Sequence, residues 1–370
     1  MSQLQTGTAL EHLPFNRNFV SSLWPSPPSG ADVTWNSVGT LAKPRGFMGA
    51  VLFGQQIFVV GGISAPCTPP GKIETTETFN IQTHQSVQHP KLNLPHWRSS
   101  MVTVRVGKGV GKGVYVIGGW GYPQVQCPVP PYSEGDMCPA WWKTCYKLTE
   151  VTHPMPGGDS WFWESQAVMP ETQNWPFGAV GPGGKIYLMG GIGDNFLPTA
   201  LEVSDMVQRF DPADGTWSQV KRLPTPRFGA AAATANHKIY VFGGCNTHFC
   251  QLGSVEEYDP VIDTWNTLTE LGSEMPTLRS SPAAVTGSNG RIYVIGGWDQ
   301  GGCNTTGAVE EFDPVAKTWR MMAPMPTPRG QAAAVATNDG RIFVLGGWQE
   351  TSAAETVTIG AIEEGTLPIF

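Results

Sequence analysis

IYVFGG at residues 239–244 and VEEYDPVIDTW at residues 255–265 decide the fold of this chain. In the first stretch Ile239, Tyr240, Val241 and Phe242 are β-branched or aromatic, types that suit a pleated and half-buried surface, and they run into two glycines. In the second, Asp259-Pro260 divides two β-prone runs. Proline presets φ and aspartate can accept from its own backbone two residues on, so the pair marks a tight turn. The large residues flanking that turn, Tyr258 and Trp265, are expected to pack between neighbouring units. Both halves recur. An apolar strand closes on a double glycine at Gly62, Gly119, Gly191, Gly244, Gly297 and Gly347, at spacings of 57, 72, 53, 53 and 50 residues. The second half returns as VQRFDPADGTW ending at Trp217 and VEEFDPVAKTW ending at Trp319. The 45 glycines and 32 prolines are spread along the chain rather than pooled in one tract, as many tight turns between short strands require.

A period near 50 with strand patterning reads as roughly four strands per repeat. Double Gly, then Glu-x-Tyr/Phe-Asp-Pro, then Trp resembles the Kelch family over about residues 35–360. The resemblance implies an all-β fold, a six-bladed Kelch β-propeller with four-stranded blades. The last unit, after Gly347, never reaches a Trp-terminated fourth strand. DVTWN at residues 32–36 looks like the missing piece. The ring is therefore expected to close through an N-terminal strand around Trp35, which removes exposed sheet edges. The domain reading is an extension over 1–30, the propeller over 31–360, and a tail over 361–370. Blade two carries an insertion at about 121–145, and an insertion in one repeat maps to a loop on one face.

With the double Gly ending strand b, the b–c and d–a connections emerge on one face. That face collects an Arg before strand a: Arg45, Arg98, Arg227, Arg279 and Arg329. Blade three breaks the pattern with Asn174-Trp175-Pro176-Phe177. The residue after each double Gly reads Ile63, Trp120, Ile192, Cys245, Trp298 and Trp348. Guanidinium is suited to planar recognition of carboxylate or phosphate, and indole offers apolar area and a face for cations. Kelch propellers that recognise acidic peptides use these two positions. The resemblance thus implies an anionic small molecule or acidic peptide held by the five Arg with Trp120, Trp175, Trp298 and Trp348. The competing reading is that the Arg turn only bridges blades by bonding carbonyls. Tyr122, Trp141 and Trp142 of the insertion form either a lid over the mouth or a self-packed Ω-loop.

His96, Asp194, His248 and Asp299 sit in loops of the same face and are the candidate acid–base groups. Cys245-x2-His248-x-Cys250 is not a usual zinc spacing, and Cys303 would have to complete it. No metal and no cofactor is expected. The net charge of −7 and 14% charged residues argue against nucleic acid, which needs a basic surface. No apolar run suits a signal peptide or a membrane span, so a cytoplasmic monomer is the expectation. Fewer than 35 residues precede the first strand, which leaves no room in this chain for a BTB or F-box domain. Two functions remain open: a binding module for an anionic partner, or a cofactor-independent isomerase, epimerase or cyclase using the same pocket.

Overall fold

The computed structural model describes residues 32–64, 71–73, 75–89, 102–106, 113–121, 140–141, 145–150, 161–165, 167–171, 173–197, 200–247, 251–270, 272–299, 304–352 and 355–367. Among these, strands account for almost all regular structure, with one 3-10 turn at Pro182–Gly184. The strands form six four-stranded antiparallel sheets, each with its first strand innermost. Blade 4 shows the unit: strand a Ala231–Ala235, b Lys238–Phe242, c Val255–Asp259 and d Thr264–Leu268. The six inner strands are Gly49–Phe53, Val102–Val106, Phe177–Val180, Ala231–Ala235, Ala283–Thr286 and Ala333–Ala336. Each packs against the next, and the last packs against the first, so the sheets radiate from one axis.

Blade 6 is completed by the start of the chain. Thr34–Thr40 pairs antiparallel with Ala361–Thr366, with a bulge between Ser37 and Gly39. Trp35 Nε1 donates to the Ala323 carbonyl at 3.0 Å, which fastens this strand to blade 5. One boundary needs correction. Residues 361–366, read from sequence as tail, are strand c of blade 6, paired to Arg341–Leu345 on one side and to the N-terminal strand on the other. The segment lacks the Asp-Pro turn because its partner arrives from the far end of the chain. The extension over 1–30 lies outside the described residues.

The core lies between blades. Phe242, Phe312 and Trp319 pack across blades 4 and 5, and Tyr187, Tyr258 and Val241 across blades 3 and 4. Strand b is buried apart from its first residue in four blades, consistent with its continuous apolar runs. The double glycines have a geometric cause. Gly296 and Gly297 have φ of 63° and 107°, a region closed to most side chains. A Cβ on Gly296 would lie 2.4 Å from the Arg329 carbonyl of the next blade. Gly297 N–H donates to that same carbonyl at 2.9 Å. The pair is a wedge that lets one blade hydrogen-bond the next.

Candidate partner-binding face

The Arg turns do not line an open mouth. Arg45, Arg227, Arg279 and Arg329 are all 0% exposed. Each reaches into its own blade and meets a buried glutamate on strand c: Glu77, Glu256, Glu310 and Glu363 respectively. Arg279 Nη1 also donates to the carbonyls of Gly296 and Ala308, at 3.2 and 3.0 Å, and the other three Arg make equivalent bonds. Burial pulls Arg45 down to about 10 against the opposing pull of Glu77. Arg227, Arg279 and Arg329 are lowered for the same reason, and burial pushes the Glu256 and Glu310 carboxyls up. Ligand contact by these four Arg is therefore corrected: buried charges need paired, hydrogen-bonded partners, and they have found them inside the blade. Arg98 lies outside the described residues.

Blade 3 solves the same problem without charge. Gln173 stands where the other blades carry Arg, and Gln208 where they carry Glu. Gln208 Nε2 donates to Gln173 Oε1 at 2.8 Å, while Gln173 Nε2 donates to the Gly190 and Met206 carbonyls. An Arg–Glu ion pair in four blades and a Gln–Gln pair in the fifth do one job: they fix the connection entering strand a. The sequence carried the signal in Glu256, Glu310 and Glu363, each in a Val/Ile-Glu-Glu run; sequence reasoning read the first two only as part of the repeat signature and left the third in the tail.

What the face presents instead is aromatic. The residue after each Arg pairs with the residue after the double Gly: Gly46 with Ile63, Asn174 with Ile192, Phe228 with Cys245, Ser280 with Trp298, and Gly330 with Trp348. The next position turns left-handed in the five blades where it is described, at Phe47, Trp175, Gly229, Ser281 and Gln331. That turn allows a chain of backbone bonds about the axis. Phe47 N–H donates to Gln331, Gln331 N–H to Ser281, and Ser281 N–H to Gly229. It also throws Phe47 and Trp175 inward, where their ring centroids lie 5.2 Å apart although they enter blades 1 and 3. Trp348 packs on Phe47 at 5.0 Å and Phe228 on Trp175 at 5.4 Å. The cluster thus joins rings from blades 6, 1, 3 and 4 on this face. Phe47 and Phe228 were missed from sequence, because nothing but their place in the turn sets them apart from core residues.

Trp298 and Trp348 lie over the next blade's turn. A Cβ on Gly330 would fall 2.2 Å from Trp298 Nε1, and one on Gly46 would fall 2.4 Å from Trp348 Cδ1. Arg-Gly in blades 1 and 6 thus answers the indole of the preceding blade. All five aromatics, Phe47, Trp175, Phe228, Trp298 and Trp348, are half-buried. Gln331 Oε1 and Trp348 Nε1 are buried atoms with no hydrogen-bond partner among the described residues.

The remaining candidates divide. Trp120 and Trp141 face each other in a two-residue ladder that brings the ends of the blade-two insertion together, and their side chains lie outside the described residues. Tyr122, Trp142, His96 and His248 lie outside them altogether, as do Cys250 and Cys303. Asp194 is on the hairpin strand Ile192–Leu197, its side chain likewise outside the description. Asp299 is described, and its N–H donates to the Asn304 carbonyl across the blade-5 connection. Cys245 is a buried thiol. Among the described residues no three His, Cys, Asp or Glu gather as metal ligands, and no helix is long and apolar enough to cross a membrane.

A family model for the KLHDC2/KLHL20/DRC7 Kelch-repeats domain matches residues 177–361. Beta-scruin of Limulus polyphemus is 28% identical over 297 residues, 75% of this chain and 28% of its own length. Kelch-like protein 35 of Mus musculus is 31% identical over 153 residues, 41% of this chain and 23% of its own. A putative F-box/kelch-repeat protein of Arabidopsis thaliana is 28% identical over 145 residues, 38% of each chain. The matched segments thus span 23–38% of the length of these relatives.

Proposed function

Because the chain belongs to the Kelch-repeat family, we propose that it is a protein-interaction propeller that seats its partner on the face holding the aromatic cluster. The observation that carries this reading is the joined array of Trp348, Phe47, Trp175 and Phe228, with Trp298 beside it. Half-buried aromatics held rigidly at the centre of a face are what binding hot spots are made of, since they bring large contact area at little entropic cost. Recognition of an anionic ligand through the Arg ring loses its support in the four blades where the guanidinium is committed to glutamate. No observation among the described residues favours the small-molecule enzyme over partner binding.

The test is affinity capture from cell extract on immobilised wild-type chain, compared with Trp298→Ala/Trp348→Ala and with Phe228→Ala. Retention of a defined protein by wild type, lost in both variants while their melting stays cooperative, supports the reading. A partner held equally by all three would place recognition elsewhere on the molecule.

A further inference from the structure

The face that carries the aromatic cluster is unevenly charged. Its blade 5 and blade 6 sector is built from the connections at residues 269–282, 298–308, 323–332 and 348–360. These carry Glu270, Glu274, Asp299, Glu350 and Glu355, and their only cations are Arg279 and Arg329. Both guanidiniums are buried and spent on Glu310 and Glu363 inside the blades. The sector therefore holds carboxylates without an exposed countercharge of its own. The exposed cations Lys43 and Lys221 belong to the connections entering blades 1 and 4. The rim toward the a–b turns is balanced by contrast. There Asp211 takes Lys185, Glu257 takes Lys238 and Lys317, Asp313 takes Arg291, and Glu364 takes Arg341. Among the described residues Glu270, Glu274 and Glu350 are in no such pair.

Two of the carboxylates stand beside the indoles. Trp298 pairs with Thr305, and the N–H of Asp299, the next residue, donates to the Asn304 carbonyl across the same connection. Thr305 Oγ1 accepts the Glu350 N–H at 3.4 Å, so the blade-6 hairpin strand Trp348–Ser352 meets blade 5 beside Trp298. Gly330, under the Trp298 indole, exchanges backbone bonds with Trp348. Trp298, Asp299, Trp348 and Glu350 thus form one corner of the face, and all four are half-buried.

An indole attracts a cation through its ring quadrupole, more strongly where water is displaced. Carboxylates on the same surface add a negative potential that steers a positive partner and rejects an acidic one. Guanidinium suits both features, since its plane stacks on a ring and its N–H groups bond a carboxylate at two points. We propose that the protein partner of this face presents a basic segment, whose arginine stacks on Trp298 and Trp348 with Asp299 and Glu350 as its counterions. The assignment rests on the reading of the face as a partner-binding surface and adds the sign of the partner's charge. That sign is opposite to the one an open ring of Arg turns would have selected.

Random linear peptides displayed on phage are selected on the immobilised full chain, and the most enriched one is synthesised for fluorescence anisotropy. The enriched peptides are expected to be net positive and to carry arginine. Citrulline in place of that arginine, which keeps the shape and removes the charge, should weaken binding about tenfold or more. Asp299→Asn/Glu350→Gln in the chain should do the same with its melting temperature unchanged. Glu350→Gln alone, at a residue whose described bond runs through its backbone, should weaken binding about threefold. Added salt should weaken the wild-type complex and act much less on the doubly neutralised one. Selected peptides that need Trp298 and Trp348 but are acidic or uncharged overturn the charge assignment and leave the partner face standing. Peptides indifferent to Trp298→Ala/Trp348→Ala, or no enrichment at all, remove the face and the assignment together. A basic peptide that binds Glu350→Gln and Asp299→Asn/Glu350→Gln as tightly as wild type also overturns the proposal.

Discussion

Replacing Arg279 with glutamine tests the central structural assignment. In the native blade Arg279 and Glu310 are both 0% exposed and ion-paired. Arg279 Nη1 also holds the carbonyls of Gly296 and Ala308. Arg279→Gln leaves the Glu310 carboxylate buried without its cation. Removing one partner of a buried pair costs about 3–5 kcal/mol, most of it the penalty of the stranded charge. Arg279→Gln/Glu310→Gln strands nothing and recreates the arrangement that blade 3 uses at Gln173 and Gln208. Exchange of a buried ion pair for a satisfied neutral one is often close to neutral, so the double variant should lie within about 1 kcal/mol of wild type. Urea unfolding followed by tryptophan fluorescence reads this as a midpoint shift at constant slope. Urea is the right denaturant because it does not screen the pair. A single variant as stable as wild type, or a double variant as unstable as the two single losses combined, would refute the reasoning and return Arg279 to the ligand-binding residues.

Three further outcomes are expected. Gly330→Ala drives a Cβ into Trp298 and should cost about 1–3 kcal/mol, as overpacking does. Trp298→Ala in the same chain should erase that increment, and a double-variant cycle by thermal melting showing no coupling would disprove the contact. Trp35→Ala removes a half-buried indole and its bond to the Ala323 carbonyl at the closing seam, and should cost about 2–4 kcal/mol in urea unfolding. An unchanged midpoint would mean that the N-terminal strand does not hold the ring. Lys185 holds the Asp211 carboxyl below its ordinary range, and Arg341 does the same for Asp339. With folded values depressed, their stabilisation is fully present above the unfolded-state value near ~3.9 and is lost as pH falls through the folded values. Urea midpoints should therefore decline more steeply below about pH 4. If Lys185→Met with Arg341→Met leaves that decline unchanged, other carboxylates govern it.

The repeat was legible because each blade spells out its own geometry. Double glycines mark the wedge between blades, Asp-Pro marks the c–d turn, and Trp35 marks the strand that pairs with residues 361–366. Strand c of blade 6 was not legible as such, because without a c–d turn in its own segment it reads as a tail. Ile362-Glu363-Glu364 was nevertheless present in the pattern of Val255-Glu256-Glu257 and Val309-Glu310-Glu311. The Arg positions were found and their direction was misjudged. Sequence gives a residue's place in a turn, whereas exposure depends on whether an opposing strand supplies a partner. The pairing of each described turn Arg with a strand-c Glu, and of Gln173 with Gln208, was the discriminating signal. It becomes visible only when the two halves of the repeat are read against each other.

That correction changes what the face can do. A ring of free guanidiniums would select ligands by charge, and would repel itself unless a ligand were bound. A ring of internal ion pairs instead rigidifies the turns from within and leaves the surface chemistry to the residues beside them. In this chain those neighbours are Phe47, Trp175, Phe228, Trp298 and Trp348 at one end of the axis. The backbone bonds linking Phe47, Gln331, Ser281 and Gly229 hold the aromatics in register. At the other end the threonine bonds keep the inner strands together, and Arg105 is the one described cation of that edge without a carboxylate. The same ring of inner strands therefore presents two different ends, an aromatic cluster on one face and a rim of cation–carboxylate pairs with Arg105 beside them on the other.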